Sequence, residues 1–345
     1  MKRYEAAAHN RRLAHDGMAD HWPAAGRAYR AVDRDVFHIA DVGVAAFDAL
    51  GGMTHAQRYA VRDMLHALVA ALKLVDHVLD GEYEARPPDP GMAANLALVG
   101  PVRALALISG DTLVSADTRR RVVIATERML LDFCAAQEGA AGTPRDEESY
   151  WTLVSRTTGR LLRYALWLGA ILAGRTVEEQ AFTRLAEAVA GILQISDDLT
   201  DAIRGEEATD WSRRTLNLAI LYAEEVDHPG RAEFNRLIAR YPDGPDLLDR
   251  LRELLFESDA IGFCVFAMLR LHREAIVAAR ALDGADSAPL LRLTEELMAP
   301  CFALMRSVHL DEADASAVLS DLAPELLGTP ADGIAGALTS SRDPA

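Results

Sequence analysis

The sequence lacks several features that would indicate particular classes of protein. It has only 3 cysteines, which are far apart and lie in apolar segments, so neither a disulfide framework nor a cysteine metal site is expected. Basic residues form no dense stripe, and the net charge of −16 argues against nucleic acid as a partner. No segment alternates between apolar and polar residues, so the pattern does not predict a β-sheet.

The sequence also shows little that would place it in a membrane. Residues 1–17 are polar and lack the apolar core of a signal peptide. The longest apolar stretch that we identify, residues 161–173, is interrupted by Arg163 and is too short to span a bilayer. These observations predict a soluble, cytoplasmic protein with no membrane span.

Helical periodicity is present in almost every segment. Because half of the residues are apolar and the breaks between helices are short, the pattern predicts an all-α fold, a large single-domain helical bundle over residues 1–323. Residues 324–345, rich in Gly, Ser, Thr and Pro, are predicted to be a disordered tail. The predicted helices cover residues 24–50, 55–81, 92–118, 119–138, 146–173, 177–205, 211–226, 245–282 and 287–309.

Two aspartate motifs are the most informative feature of the chain. Asp76 and Asp80 end one long apolar helical stretch, and Asp197 and Asp201 end another. Residues four apart share one face of a helix, so each pair directs two carboxylates the same way. Carboxylates that face one another in a helical core repel unless cations bind between them. Mg²⁺ is commonly bound by protein carboxylates together with substrate phosphates. The motifs therefore indicate an enzyme that acts on a diphosphate with Mg²⁺.

Residues 25–300 resemble the trans-isoprenyl diphosphate synthase (polyprenyl synthetase) family. The resemblance rests mainly on the Thr158-Gly159 pair, on Leu168 to Gly174, and on Gln194 to Asp201, which resembles the family's second DDxxD motif. Asp76 to Asp80 resembles the first DDxxD motif, with a histidine in place of the second aspartate.

This resemblance implies an isoprenoid synthase fold, an all-α bundle around a deep central cavity, and generally a homodimer. It implies a prenyltransferase that binds prenyl diphosphates and Mg²⁺, three ions with the substrate diphosphate. An allylic diphosphate is ionised and condensed with isopentenyl diphosphate to give a longer all-trans prenyl diphosphate. The catalytic residues implied are Asp76, Asp80, Asp197, Asp198 and Asp201, of which all except Asp198 are implied metal ligands.

The resemblance also implies substrate-binding residues, although several basic positions differ from the family pattern. Gly26 to Arg30 resembles a Gly-Lys-x-x-Arg motif with arginine in place of lysine, and alanine replaces one arginine of a later pair. The residues implied to bind isopentenyl diphosphate are Arg27, Arg30 and Arg86, and those on the allylic side are Arg156, Thr157, Gln194 and Arg214. Ala71 and Leu72 correspond to the cavity floor, where their small bulk predicts products longer than farnesyl diphosphate.

Two other functions remain open from the sequence. A class I terpene cyclase on the same fold would explain the altered first motif and basic residues, but the usual N-x-x-x-S/T-x-x-x-E cyclase motif is not found at Asp197 to Gly205. A non-catalytic regulatory subunit of a prenyl synthase is the third hypothesis, and the retention of both outer aspartate pairs argues against it.

Overall fold

A computed structural model describes residues 22–23, 33–79, 90–110, 114–139, 146–177, 179–204, 211, 217–241, 247–282 and 284–307. Within these ranges all regular secondary structure is helical and no strand is present, so the predicted all-α fold is confirmed. The helices are α1 (Asp33–Ala49), α2 (His55–Leu79), α3 (Pro90–Gly110), α4 (Ala116–Gly139), α5 (Glu147–Val154), α6 (Arg160–Leu172), α7 (Thr183–Arg204), α8 (Leu218–Glu225), α9 (Arg231–Ile238), α10 (Leu248–Glu257), α11 (Ala260–Arg280) and α12 (Ala288–Ser307). The division into a domain over 1–323 and a tail stays a prediction, and the tail lies outside the described residues.

The chain forms two compact units. The first contains residues 1–133, 160–186 and 277–293, and the second contains residues 134–159, 187–276 and 294–345. The first aspartate motif belongs to the first unit and the second motif to the second unit.

In the first unit α2 is the central helix and packs against α1, α3 and α6, while α1 also packs against α6. Glycine allows the closest of these crossings. A Cβ atom at Gly169 would lie 2.2 Å from the backbone oxygen of Gly43, and one at Gly43 would lie 2.3 Å from the Cδ1 of Leu65. The backbones of α1 and α6 can approach this closely only because neither glycine carries a side chain.

The second unit is organised around the short helix α8, which packs against α5, α9 and α10. Side chains cap two of these helices. Asp146 and Ser149 form a capping box at the start of α5, and the Oδ1 of Asn217 accepts from the backbone N–H groups of the second and third residues of α8. Gly191 in α7 gives room to Leu271 of α11, whose Cδ1 would lie 2.6 Å from an added Cβ.

Several predicted helix boundaries in the second unit are wrong. The helix predicted over 211–226 is not continuous, because Asn217 has an extended backbone (φ −123°, ψ 114°) and caps the start of α8. The single helix predicted over 245–282 is wrong, because Ser258 and Asp259 separate α10 from α11 and Asp259 has a left-handed backbone (φ 63°). The helix predicted over 146–173 is interrupted by a π-helical turn, Ser155–Gly159.

Helix α3 contains a longer apolar stretch than the sequence analysis identified. Its segment Gly91–Ser109 has a mean hydropathy of 1.6 and, by length and composition alone, is long enough to cross a membrane. Only 28% of the segment is buried, and it is the one such helix among the described residues. The statement that 161–173 is the longest apolar stretch is therefore wrong.

Candidate functional site

The second aspartate motif occupies the last turns of α7. This helix is built on a buried apolar stripe that includes Leu185, Val189, Ile192 and Ile195, and the stripe fixes which side of the helix faces solvent. Asp197 and Asp201 are both exposed. They lie one turn apart and about 40° apart around the axis at 3.6 residues per turn. The end of α7 thus presents two carboxylates on one accessible face.

Asp198 has a different environment from its neighbours, because it is buried with 1% of its surface exposed. Its Oδ2 accepts hydrogen bonds from the Tyr150 hydroxyl at 2.7 Å and from the Leu218 backbone N–H at 2.8 Å. Its Oδ1 accepts from the Gln194 side-chain amide at 3.0 Å. Three donors from α5, α7 and the N-terminus of α8 therefore bind this carboxylate.

Backbone contacts strengthen the same junction. The Nδ2 of Asn217 donates to the Asp198 backbone oxygen at 2.8 Å. The Oδ1 of Asn217 accepts from the N–H groups of Ala219 and Ile220, at 3.2 and 3.3 Å. One buried asparagine thus caps α8 and joins its N-terminus to the end of α7.

The electrostatics of this cluster keep Tyr150 and Cys264 protonated. Burial first, and then the neighbouring Asp198 charge, raises the pKa of the Tyr150 phenol well above its ordinary value. The same two causes raise the pKa of the Cys264 thiol well above its ordinary value. Tyr150 therefore remains a hydrogen-bond donor, and Cys264 is a buried thiol rather than a nucleophile.

The first aspartate motif lies at the end of α2, where the structure describes Asp76 but not Asp80. The Nζ of Lys73 lies 3.0 Å from the Oδ2 of Asp76, and the two side chains are 34% and 29% exposed. Lys73 is one of only two lysines in the chain. Sequence reasoning missed this contact, although the spacing of three residues on a helix could have indicated it.

Most of the predicted basic residues cannot be placed. Arg27, Arg30, Arg86 and Arg214 lie outside the described residues. Arg156 is exposed on the π-helical turn, and the Thr157 hydroxyl donates to the Leu153 backbone oxygen at 2.8 Å. Turns of this kind are frequent at functional sites, and sequence periodicity does not reveal them.

Of the two residues predicted to form the cavity floor, Ala71 is buried and Leu72 is partly exposed.

The described residues contain no group of three or more His, Cys, Asp or Glu side chains with the geometry of a metal site. Hard divalent cations nevertheless favour carboxylate oxygens that keep access to water and phosphate. Asp197 and Asp201 present carboxylates on an exposed helix face, so these donors fit Mg²⁺. The Asp198 carboxylate is buried, so a hydrated cation has less access to it.

Comparisons with known proteins identify the fold. No family model and no curated protein matches the sequence. Among solved structures, geranylgeranyl pyrophosphate synthetase from Pyrococcus horikoshii superposes with a TM-score of 0.68 and 16% identity, covering 87% of this chain and 99% of its own. Geranylgeranyl pyrophosphate synthase from Corynebacterium glutamicum, complexed with calcium and isoprenyl diphosphate, superposes with a TM-score of 0.67 and 20% identity. The match covers 86% of this chain and 96% of the synthase.

A polyprenyl synthetase from Streptomyces coelicolor gives a TM-score of 0.63 and 15% identity, with 79% of this chain and 96% of its own covered. At identities this low, the superpositions demonstrate a shared fold, and the chemistry must be argued from the residues. The chain therefore has the isoprenoid synthase fold of the trans-prenyl diphosphate synthases, as the sequence resemblance predicted.

Proposed function

We propose that this protein is a Mg²⁺-dependent prenyltransferase. It condenses an allylic prenyl diphosphate with isopentenyl diphosphate and releases a longer all-trans prenyl diphosphate. The observation that carries the proposal is the exposed Asp197–Asp201 pair at the end of a buried helix, in a fold shared with structures named as prenyl diphosphate synthases. The C. glutamicum structure contains calcium and isoprenyl diphosphate, which supports a divalent cation and a prenyl diphosphate as ligands here.

The proposed metal ligands are Asp76, Asp80, Asp197 and Asp201, and three ions are expected with the substrate diphosphate. When bound, Mg²⁺ supplies positive charge where the departing diphosphate becomes more negative. The bond between the allylic carbon and the diphosphate oxygen breaks, and its electron pair leaves with the diphosphate. The double bond of isopentenyl diphosphate attacks the resulting cation, and loss of a proton restores a double bond.

The remaining site residues are proposed to hold the two substrates. Arg27, Arg30 and Arg86 are assigned to isopentenyl diphosphate, because a guanidinium forms paired hydrogen bonds with phosphate oxygens. On the allylic side we assign Arg156, Thr157, Gln194 and Arg214. Gln194 already donates to Asp198, so any contact with the diphosphate must be compatible with that bond or replace it.

We also propose that the protein is a soluble, cytoplasmic homodimer. Helix α3 supports a self-association surface, because Leu98 and Val102, one turn apart on the same face, are 73% and 68% exposed. Apolar side chains at this spacing form a stripe that is more stable against a second apolar surface than in water. Sedimentation equilibrium tests the dimer: a mass equal to one chain at micromolar concentration would refute it.

A product assay tests the reaction. Purified protein is incubated with Mg²⁺ and geranyl, farnesyl or geranylgeranyl diphosphate, each with and without isopentenyl diphosphate. We expect longer linear diphosphates only when isopentenyl diphosphate is present, with products beyond farnesyl if Ala71 and Leu72 leave the cavity floor open. Asp197→Asn and Asp201→Asn should each lose most of the activity.

Two outcomes would replace the proposal with another function. Hydrocarbons or alcohols formed from the allylic diphosphate alone would identify a terpene cyclase. Absence of turnover by the purified protein, with activity only after a partner chain is added, would identify a regulatory subunit. Unchanged activity of the Asp197→Asn and Asp201→Asn variants would refute the assigned metal ligands.

A further inference from the structure

Asp198 is the one aspartate of the second motif that the metal assignment leaves without a role. Acidic side chains are rarely buried unless they are paired, and this one is 1% exposed. Its two oxygens accept three hydrogen bonds from Tyr150, Gln194 and the Leu218 backbone. These three hydrogen bonds compensate the buried charge within the protein, and a metal ion that bound this carboxylate would compete with the donors.

The position of Asp198 on α7 links it mechanically to the exposed pair. At 3.6 residues per turn it lies about 100° around the helix from Asp197 and about 60° from Asp201. A turn whose buried residue is held by α5 and α8 cannot rotate about its axis without breaking those bonds. The contacts of Asp198 therefore act together with the buried apolar stripe of α7 to set the directions of Asp197 and Asp201.

We propose that Asp198 is a positioning residue and that Tyr150 is its principal partner. Together they hold the last turn of α7 in the rotation that presents Asp197 and Asp201 to the metal and diphosphate. The Tyr150 hydroxyl bonds to Asp198 at 2.7 Å and comes from a different helix, so it fixes α7 relative to α5. This inference rests on the proposed function, because it assigns the exposed pair to metal binding.

The experiment compares Tyr150→Phe, Asp198→Asn and the double variant with a matched control, Tyr164→Phe. Tyr164 is also buried and its hydroxyl forms one short side-chain hydrogen bond, 2.6 Å from the Thr126 hydroxyl, in the first unit. Binding of Mn²⁺ with inorganic diphosphate is measured by electron paramagnetic resonance, which requires no turnover. Urea unfolding of each metal-free variant measures stability separately.

We expect Tyr150→Phe to weaken Mn²⁺ binding about tenfold, which is typical of groups that orient metal ligands, and Tyr164→Phe to change it less than twofold. The double variant should bind no more weakly than Asp198→Asn alone, because Tyr150 acts only through Asp198. If Asp198→Asn does not fold, the comparison of the two tyrosine variants still decides the matter.

Three results would overturn the inference. Tyr150→Phe could bind Mn²⁺ as tightly as Tyr164→Phe, the two losses could multiply in the double variant, or the wild type could fail to bind Mn²⁺ with diphosphate. A wild type that binds Mn²⁺ and diphosphate but elongates no prenyl substrate would refute the proposed reaction alone. The variants would then still test the positioning role.

Discussion

Replacing Lys73 with glutamine should make the protein respond to lower concentrations of Mg²⁺. The Lys73 ammonium lies 3.0 Å from an oxygen of Asp76, the first proposed metal ligand along the chain. A metal ion that binds Asp76 must displace this ammonium or bind beside it, and both cost free energy. Lys73→Gln removes the competing cation and keeps a polar side chain of similar length.

The size of the effect follows from the exposure of the pair. Both side chains are about one-third exposed, so water screens their attraction, and ion pairs of this kind contribute about 0.2–1 kcal/mol. Since 1.4 kcal/mol corresponds to a tenfold change in binding, this range corresponds to a metal affinity about 1.4- to 5-fold tighter. Relief of direct repulsion between the ammonium and Mg²⁺ acts in the same direction.

The assay is a Mg²⁺ titration of the condensation rate at fixed, saturating substrates. Arg58→Gln is the matched control. Arg58 lies on the same helix as Lys73 and forms an ion pair at 2.9 Å with Asp48 of α1, with similar side-chain exposures of 32% and 33%. This control should leave the Mg²⁺ midpoint within error of the wild type. An unchanged midpoint in Lys73→Gln would refute the competition, and a higher midpoint would show that Lys73 assists binding by contacting the diphosphate.

Two further predictions concern packing and thiol chemistry. Gly169→Ala should lower the free energy of unfolding in urea by about 1–3 kcal/mol, because the new Cβ would lie 2.2 Å from the backbone oxygen of Gly43, which cannot rotate away; an unchanged midpoint would contradict the close crossing. In the native protein a thiol reagent at pH 8 should modify Cys134, which is exposed, and all three cysteines only after denaturation. Burial raises the pKa of Cys301 to about 11 and that of Cys264 well above its ordinary value, so both remain unreactive thiols; fast modification of either would contradict their burial.

The features that could be predicted from the sequence are those fixed by local pattern. Helices α2 and α7 follow from long apolar stretches that finish at an aspartate motif, and the predicted ranges 55–81 and 177–205 include both helices. Helix α9 was not predicted, because it has eight residues, four of them polar or charged, and too short an apolar pattern. The break at Asp259 was missed because neither glycine nor proline marks it.

Long-range contacts explain what the sequence could not show about the candidate site. The dipeptide Asp197-Asp198 gives no sign that one carboxylate is exposed and the next is buried. That difference depends on Tyr150, 48 residues earlier, and on Leu218, 20 residues later. The π-helical turn at Ser155–Gly159 was missed as well, since a local count of residues per turn predicts a regular helix there.

The spacing of the exposed aspartates supports the proposed role in ligand binding. Asp197 and Asp201 are like charges four residues apart on α7, and such pairs destabilise a helix by about 0.2–0.5 kcal/mol. A cation bound to both carboxylates, as proposed, would relieve this repulsion. The same spacing that costs stability without a cation would therefore favour the binding of one.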